Sequence, residues 1–142
     1  MSTVLITGAN RGIGLALAQA YAARGDEVIG ACRASGPALE ATGARVEDGV
    51  DVTDEAALRA LSERLGVTSI DVLVCNAGVL ADQRLGAIDA AGFDAMRRQY
   101  EVNALGPLRT VQALAGHLHA GSRVGIITSR MGSVADNGSG GH

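Results

Sequence analysis

The chain has 142 residues, of which 47% are hydrophobic, and its formal net charge is -3 at pH 7. This length favours a single domain over residues 1–142, with a substantial core. No apolar stretch approaches the roughly 18 to 20 residues that cross a bilayer, and the interspersed charges exclude the basic surface of a nucleic-acid-binding protein. No basic leader precedes an apolar run at the amino terminus, so we expect a cytoplasmic protein without a membrane partner.

Short β-branched runs alternate along the chain with longer segments of helical periodicity. This alternation is typical of an α/β fold built around a parallel sheet. Strands are predicted over residues 3–7, 27–31, 45–50, 71–75 and 123–128. Helices are predicted over residues 11–24, 37–42 and 91–118, with a further helix that takes Thr53 as its N-cap. Gly25 stands where a left-handed cap would end the first helix.

A glycine-rich stretch, TGANRGIG at residues 7–14, separates the first strand from the first helix. Glycines at positions 8, 12 and 14 remove side chains where a tight turn lets a phosphate approach the backbone. The helix that follows offers free N–H groups and the positive end of its dipole. The position of this loop, after a strand and before a helix, predicts a dinucleotide-binding site. We expect Gly8, Asn10, Arg11, Gly12, Ile13 and Gly14 to contact the cofactor.

The end of the second strand predicts which dinucleotide is bound. An acidic residue there would hydrogen-bond the adenosine ribose of NAD, but the strand is followed by Cys32 and Arg33. Asp26 and Glu27 lie at the opposite end of the strand. Arg33, joined by Arg11, could instead bind a 2′-phosphate through charge-assisted, bidentate hydrogen bonds. NADP(H) is therefore preferred and NAD(H) is possible, whereas a solvated Arg33 is the purely structural alternative.

Pro107 interrupts the longest predicted helix. It has no N–H to donate to the carbonyl four residues earlier, which belongs to Asn103. We therefore expect a bulge or kink there, with the Asn103 carbonyl available to water or another donor.

The other reactive side chains predict no chemistry. Cys32 and Cys75 are expected to be reduced core residues, and Tyr21 and Tyr100 are expected to pack. His117 and His119 lie two residues apart on a helix end and are not expected to bind a metal.

Five motifs in this order resemble those of the classical short-chain dehydrogenase/reductase family. They are T-G-x-x-x-G-I-G at residues 7–14, Asp51-Val52, CNAG at residues 75–78 in place of N-N-A-G, Asn103, and S-x-x-G from Ser129. The stretch SRMGSVADN is similar to C-factor-like and sniffer-type carbonyl reductases. The resemblance implies a Rossmann-type, doubly wound parallel sheet with strands in the order 3-2-1-4-5, lacking the later strands of the family fold.

The resemblance also implies roles for individual residues. The three loop glycines would form the pyrophosphate turn, and the two arginines would bind phosphate. Asp51 and Val52 would contact adenine, while Asn76, Ala77 and Gly78 would support the nicotinamide ribose. Ser129 would hydrogen-bond the substrate carbonyl oxygen, and the main-chain carbonyl of Asn103 would hold a water of the proton relay.

One element of the family pattern is missing from this sequence. The family takes a proton from a tyrosine assisted by a lysine in Tyr-x-x-x-Lys, but all twelve basic residues here are arginine. We expect the amino-terminal part of an NADP(H)-dependent oxidoreductase for a small carbonyl or alcohol substrate, inactive by itself. It would self-associate through the fourth helix or an exposed strand edge. A non-catalytic dinucleotide sensor and an interaction protein with a vestigial site are the alternatives.

Overall fold

The computed structural model describes residues 1–129, 133 and 135, and these form one layered α/β unit. Its strands are β1 (Thr3–Thr7), β2 (Glu27–Ala31), β3 (Arg45–Glu47), β4 (Ile70–Cys75) and β5 (Leu118–Ile126). Its α-helices are α1 (Gly12–Ala23), α2 (Pro37–Glu40), α3 (Glu55–Leu65), α4 (Ala90–Tyr100) and α5 (Gly106–Leu114). A π-helical segment, Glu101–Leu105, joins α4 to α5, and a 3₁₀ turn, Ala115–His117, precedes β5.

The five strands form one parallel sheet in the order β3-β2-β1-β4-β5. At its centre, Leu5 of β1 lies level with Ile29 of β2 and Leu73 of β4. The Rossmann-type α/β fold and the strand order predicted from the sequence are therefore confirmed. The order reverses beside β1, so the carboxyl ends of β1 and β4 border a crevice of the kind in which open α/β sheets bind ligands.

Alternate residues of the central strands pack on opposite faces of the sheet, as the two-residue period of a strand requires. Leu5 and Leu73 face a core closed by α3 and α5, which contribute Leu58, Leu61 and Leu114. On the other face, α1 and α2 cover a second core: Val4, Ile6, Val28, Val74, Ala18 and Leu39. Both faces of the sheet centre are thus covered by helices.

Several element boundaries differ from the sequence prediction. The strand β3 ends at Glu47 rather than at residue 50, and β5 begins at Leu118 rather than at residue 123. The early start of β5 depends on its neighbour, because Leu118 pairs with Ile70 of β4 before a register shift. No β-branched run marks these residues, so the sequence pattern did not indicate a strand there. His119 consequently belongs to β5 and not to a helix end.

The N-cap of α3 is Asp54, so the prediction of Thr53 was wrong. A carboxylate oxygen of Asp54 accepts hydrogen bonds from Ala56 N at 2.9 Å and Ala57 N at 3.3 Å. The hydroxyl of Thr53 is engaged elsewhere, because it donates to Asp51 at 2.7 Å. The predicted left-handed cap of α1 is confirmed, since Gly25 has φ +84°.

The predicted helix over residues 91–118 is divided where Pro107 lies, as expected. The π-helical segment Glu101–Leu105 inserts a wider turn, and α5 then starts with Pro107 in its first turn. Proline is tolerated there because its missing N–H would have no intrahelical partner in a first turn. The predicted bulge is therefore confirmed, and it contains Asn103.

Candidate cofactor-binding site

The glycine loop between β1 and α1 adopts backbone conformations that suit glycine. Gly8 and Gly12 have φ values of +63° and +55°, in the left-handed region that side chains disfavour. At Gly14, an added Cβ would lie 2.2 Å from the carbonyl oxygen of Gly8 and 2.5 Å from Nδ2 of Asn76. The loop therefore folds tightly onto the start of α1, which leaves its outer side to a ligand.

Thr7 and Asn76 connect the carboxyl ends of β1 and β4 beneath this loop. The Thr7 hydroxyl accepts hydrogen bonds from the backbone N–H groups of Asn76 at 3.0 Å and Ala77 at 3.1 Å. The Asn76 side chain donates to the carbonyls of Thr7 at 3.2 Å and Gly8 at 3.1 Å. Asn76 was predicted as a cofactor residue, whereas the structure gives its side chain a direct role in holding the loop. The role of Thr7 was missed.

A pocket of about 590 Å³ opens at this edge of the sheet. Every predicted cofactor residue except Gly14 lines it: Gly8, Asn10, Arg11, Gly12, Ile13, Arg33, Asp51, Val52, Asn76, Ala77 and Gly78. The lining also includes residues that the sequence analysis did not assign to the site: Cys32, Ala34, Val50, Val79, Arg98 and Val102. Gly14 lies beneath the loop, where the lack of a side chain allows the Gly8 carbonyl to approach closely.

Among the described residues, the charged side chains that line the pocket are Arg11, Arg33, Arg98 and Asp51. The hydrogen bond from the Thr53 backbone N–H, at 2.9 Å, and the Thr53 hydroxyl lower the pKa of Asp51, and nearby Arg98 and Arg33 act in the same direction. Asp51 is therefore ionised at neutral pH. The surrounding arginines leave an excess of positive charge, which favours an anionic ligand.

The acidic residues at the start of β2 lie away from this pocket, as predicted. Asp26 accepts a hydrogen bond from the backbone N–H of Ser2 at 2.9 Å and pairs with Arg24 at 3.2 Å. Neither Asp26 nor Glu27 lines the pocket. The acidic groups of this strand are thus at the wrong end to bind an adenosine ribose.

Both cysteines are buried thiols, as predicted. Burial, a side-chain hydrogen bond to Asp48 and the charge of that residue raise the pKa of Cys32 to about 11, although Cys32 lines the pocket. Burial alone raises the pKa of Cys75 to about 11. Both groups are therefore protonated at neutral pH, and neither is an activated nucleophile.

Asn103 connects the π-helical segment to the chain that follows β4. Its Oδ1 accepts a hydrogen bond from the backbone N–H of Val79 at 2.8 Å, and its Nδ2 donates to the Val79 carbonyl at 2.7 Å. An added Cβ on Gly78 would lie 3.3 Å from Oδ1 of Asn103, so the two segments approach closely. This paired hydrogen bond positions Asn103 beside the end of the pocket that Val79 lines. The sequence suggested a main-chain role for Asn103 but not this side-chain role.

A second set of contacts holds the π-helical segment against the pocket wall. Arg109 of α5 donates to the Glu101 carboxylate at 2.7 Å and to its carbonyl oxygen at 3.4 Å. At Gly106, an added Cβ would lie 2.7 Å from Cγ2 of Val52. Glycine is therefore needed for α5 to approach the pocket residue Val52.

Ser129 follows β5, whose pairing extends to Ile127, because the Ile127 N–H donates to the Cys75 carbonyl at 3.0 Å. Ser129 is exposed and does not line the pocket. The rest of its S-x-x-G motif, residues 130–132, lies outside the described residues. Ser129 therefore remains a predicted substrate-binding residue.

His117 and His119 both pair with neighbouring groups of the chain. His117 is buried and contacts the Ser62 hydroxyl at 2.8 Å and the Thr68 carbonyl at 2.9 Å. His119 pairs with Asp71 at 2.8 Å. Residues 1–129, 133 and 135 contain no group of three potential metal ligands. The same part of the chain has no helix with the length and apolarity of a membrane span.

The two tyrosines differ in their surroundings. Tyr21 packs against the core that α1 and α2 cover, and Arg24 lies 5.3 Å above its ring. The prediction that Tyr100 packs was wrong, because Tyr100 is 61% exposed. It lines a surface groove on α4 with Phe93 and Met96. The apolar period of this helix therefore marks a surface, and neither tyrosine lines the pocket.

The family to which the chain belongs follows from a comparison of its sequence with known protein families. The family described as "short chain dehydrogenase" matches residues 2–139. The chain belongs to the short-chain dehydrogenase family. Within this family, 1-hydroxy-2-glutathionyl-2-methyl-3-butene dehydrogenase of Rhodococcus sp. (strain AD45) is 45% identical over 143 residues, covering 99% of this chain and 62% of that protein.

Solved structures of short-chain dehydrogenases have the same architecture. A short-chain dehydrogenase/reductase from Burkholderia multivorans with bound NADP is 35% identical, with a TM-score of 0.85, and the match covers 98% of this chain and 63% of that chain. A carbonyl reductase from Pseudomonas aeruginosa PAO1 in complex with NADP is also 35% identical, with a TM-score of 0.85, covering 99% of this chain and 64% of that chain. The chain thus spans less than two thirds of the length of these relatives.

Proposed function

We propose that the pocket binds NADP(H) and that the protein transfers a hydride between the nicotinamide and a carbonyl or alcohol group of a small molecule. The observation that carries this proposal is the glycine cradle: an added Cβ on Gly14 would lie 2.2 Å from the Gly8 carbonyl oxygen, at the start of a helix that opens onto the pocket. A backbone this close to a helix amino terminus suits a pyrophosphate. Oxidoreductases among the relatives of the chain support the same reaction class.

We assign each part of such a cofactor to residues of the pocket. Arg11 and Arg33 would bind the 2′-phosphate, and the glycine loop with Asn10 and Ile13 would hold the pyrophosphate. Asp51 and Val52 would contact adenine, and residues 76–78 would support the nicotinamide ribose. When bound, the nicotinamide supplies or accepts the hydride. All these residues except Gly14 line one pocket, which supports the assignment.

For the reacting group, Ser129 would donate a hydrogen bond to the carbonyl oxygen of the substrate. Asn103 would hold a relay water at its main-chain carbonyl, in the widened turn that its side chain fastens to Val79. The stretch that begins at Ser129 supports placement among C-factor-like and sniffer-type carbonyl reductases. The substrate class is therefore an alcohol, or the aldehyde or ketone derived from it.

We also propose that the 142 residues bind the cofactor without turning substrate over. Proton transfer to the developing alkoxide needs a positioned acid, and the sequence contains no lysine to lower the pKa of a tyrosine. Tyr21 and Tyr100 are absent from the pocket lining. The chain would act as a single NADP(H)-binding domain in the cytoplasm.

The test is a titration of the 142-residue protein with NADPH and NADH, followed by nicotinamide fluorescence and by calorimetry. We expect saturable binding of both nucleotides, with NADPH bound at least tenfold more tightly because Arg33 and Arg11 make charge-assisted bonds to the 2′-phosphate. Arg33→Gln should remove most of this preference. Adding aldehydes or ketones should cause no oxidation of bound NADPH.

Each outcome decides a different part of the proposal. Absence of binding to either nucleotide would contradict the cofactor site and favour an interaction protein. Equal affinities would contradict the role of Arg33, and oxidation on addition of a carbonyl compound would contradict the expected inactivity. A dinucleotide sensor would also bind without oxidation, so a second experiment separates it from an oxidoreductase. A protein in which this segment is followed by Tyr-x-x-x-Lys should oxidise NADPH when a carbonyl substrate is added, whereas a sensor should not.

We further propose that two copies of the chain associate through α4. Phe93 and Met96 are 50% and 44% exposed and line one groove with Tyr100. Arg97 and Glu101 border the same groove. Sedimentation should therefore detect a dimer that Met96→Glu dissociates, and a monomer at all concentrations would exclude it.

A further inference from the structure

Two consecutive arginines on α4 face different surroundings. Arg97 forms an ion pair with Asp94 at 2.6 Å, with both side chains more than 70% exposed, and borders the surface groove on α4. Arg98 instead lines the cofactor pocket. Successive residues of an α-helix project about 100° apart, so one side chain reaches the pocket while its neighbour does not. The sequence analysis assigned no role to either residue.

Arg98 lines the same pocket as Asp51 and Val52. Val102, four residues after Arg98, lines this pocket too. Arg98 and Arg33 both interact electrostatically with the Asp51 carboxylate. These observations associate Arg98 with Asp51, the residue proposed to contact adenine.

Asp51 poses an electrostatic difficulty for this site. Thr53 donates both its N–H, at 2.9 Å, and its hydroxyl, at 2.7 Å, to Oδ1 of Asp51. Within the described part of the chain, no hydrogen bond is made to Oδ2, which is the oxygen that remains for a ligand. A carboxylate in a pocket for a phosphorylated ligand repels that ligand unless a cation offsets its charge. Without Arg98, the two arginines proposed for the 2′-phosphate, Arg11 and Arg33, would have to offset Asp51 as well.

We propose that Arg98 is a positioning residue for adenine recognition. It offsets the charge of Asp51, whose carboxylate Thr53 holds by Oδ1, so that Oδ2 can accept a hydrogen bond from the exocyclic amine of adenine without a net negative charge beside the phosphates. Arg11 and Arg33 then remain for the 2′-phosphate. The inference rests on the proposed cofactor site, and it makes a distinct prediction: Arg98 acts on the part of the ligand that NADPH and NADH share.

The test compares Arg98→Gln, Arg98→Lys and the matched control Arg97→Gln by titration with NADPH and with NADH. Because Arg98 is exposed and its interaction is screened by solvent, we expect Arg98→Gln to weaken the binding of both nucleotides by about fivefold. The ratio of the two affinities should stay within about twofold of wild type. Arg98→Lys should recover most of the affinity, and Arg97→Gln should bind like the wild type.

A double-mutant cycle with Asp51→Asn tests whether Arg98 acts through the carboxylate. In the Asp51→Asn background, Arg98→Gln should change affinity by less than about twofold, because the charge that Arg98 offsets is gone. An undiminished effect in that background would overturn the proposal, as would selective loss of NADPH binding, which would make Arg98 a phosphate ligand. Wild-type affinity in Arg98→Gln would also overturn it. Failure of the wild-type protein to bind any nucleotide would instead refute the proposed function.

Discussion

The centre of the sheet and its β5 edge differ in how completely their side chains are buried. Leu5 of β1 and Leu73 of β4 have no exposed surface, because helices cover both faces of these strands. In β5, Val124 and Ile126 are 43% and 56% exposed. The comparison shows that the proposed cofactor site lies over strands covered on both faces, whereas β5 is only partly covered by the described residues.

The two regions also differ in their polar contacts. At the centre, the hydroxyl of Thr7 and the side chain of Asn76 make four hydrogen bonds that join β1, β4 and the glycine loop. In the described part of the chain, β5 is a terminal strand that pairs with β4 alone. Terminal strands present unpaired backbone groups that favour association with other chains. Self-association through a strand edge, as expected from the sequence, stays a prediction.

The largest expected effect comes from shortening a central side chain. Leu73→Ala should lower the free energy of unfolding by about 2–5 kcal/mol, because it leaves a cavity in the covered core. Ile126→Ala is the matched change at the edge and should cost about 0.5 kcal/mol, since its side chain is already half exposed. Urea denaturation measures both values. Equal losses would contradict the contrast between centre and edge.

A smaller effect on stability, with a large effect on binding, is expected in the glycine loop. Gly14→Ala should destabilise the fold by about 1–3 kcal/mol, because the added methyl group overlaps the Gly8 carbonyl. Helix propensity alone would predict the opposite change in stability, because it favours alanine over glycine by about 1 kcal/mol. NADPH affinity should fall by about a hundredfold, which calorimetry would measure.

The control for that change is Gly116→Ala, since a Cβ at Gly116 would meet nothing within 4 Å. The control variant should keep both its stability and its NADPH affinity. If Gly14→Ala were as stable as the wild type and bound NADPH normally, the tight cradle would not be needed and the observation that carries the proposed function would fail.

The β3 edge provides the smallest expected effect, and it depends on pH. Burial would raise the pKa of Glu47, but hydrogen bonds and charges from Arg64 at 2.6 Å and Arg45 at 2.7 Å outweigh burial and lower it. Glu47 thus contributes stability above its unfolded pKa of 4.5, and this contribution is lost as the pH falls through the lower pKa of the folded state. Glu47→Gln should cost about 0.5–1 kcal/mol at pH 7, because solvent screens the half-exposed arginine partners.

Denaturation of both proteins between pH 7 and pH 3 checks this expectation. The difference in stability between the wild type and Glu47→Gln should shrink below about pH 4.5. Glu63→Gln, on the exposed side of α3, is the control and should change stability by less than about 0.5 kcal/mol. A difference that stays constant with pH would mean that the ion pairs of Glu47 do not stabilise the β3 edge.

Much of the fold and part of the site could be predicted because their causes are local. Glycines after a strand indicated the tight turn at residues 7–14, and the missing N–H of Pro107 indicated the break that became the π-helical segment. Periodicity also predicted the apolar residues of α4. It did not indicate whether anything covers them, and Phe93, Met96 and Tyr100 are exposed. A hydrophobic period identifies a face of a helix, whereas the neighbour of that face is a property of the tertiary structure.

The sequence by itself determined most of the elements and the tight turn after β1, since these follow from short-range sterics and hydrogen bonding, while the strand order followed from the resemblance of its motifs to a known family. Only the tertiary structure placed Arg98 and Val102 in the pocket, paired Asn103 with Val79 and began β5 at Leu118. Each of these depends on the rotation of a helix or the register of a strand against a partner distant in the chain. These rotations and registers are set when the sheet and its helices pack together, and no local sequence pattern encodes them.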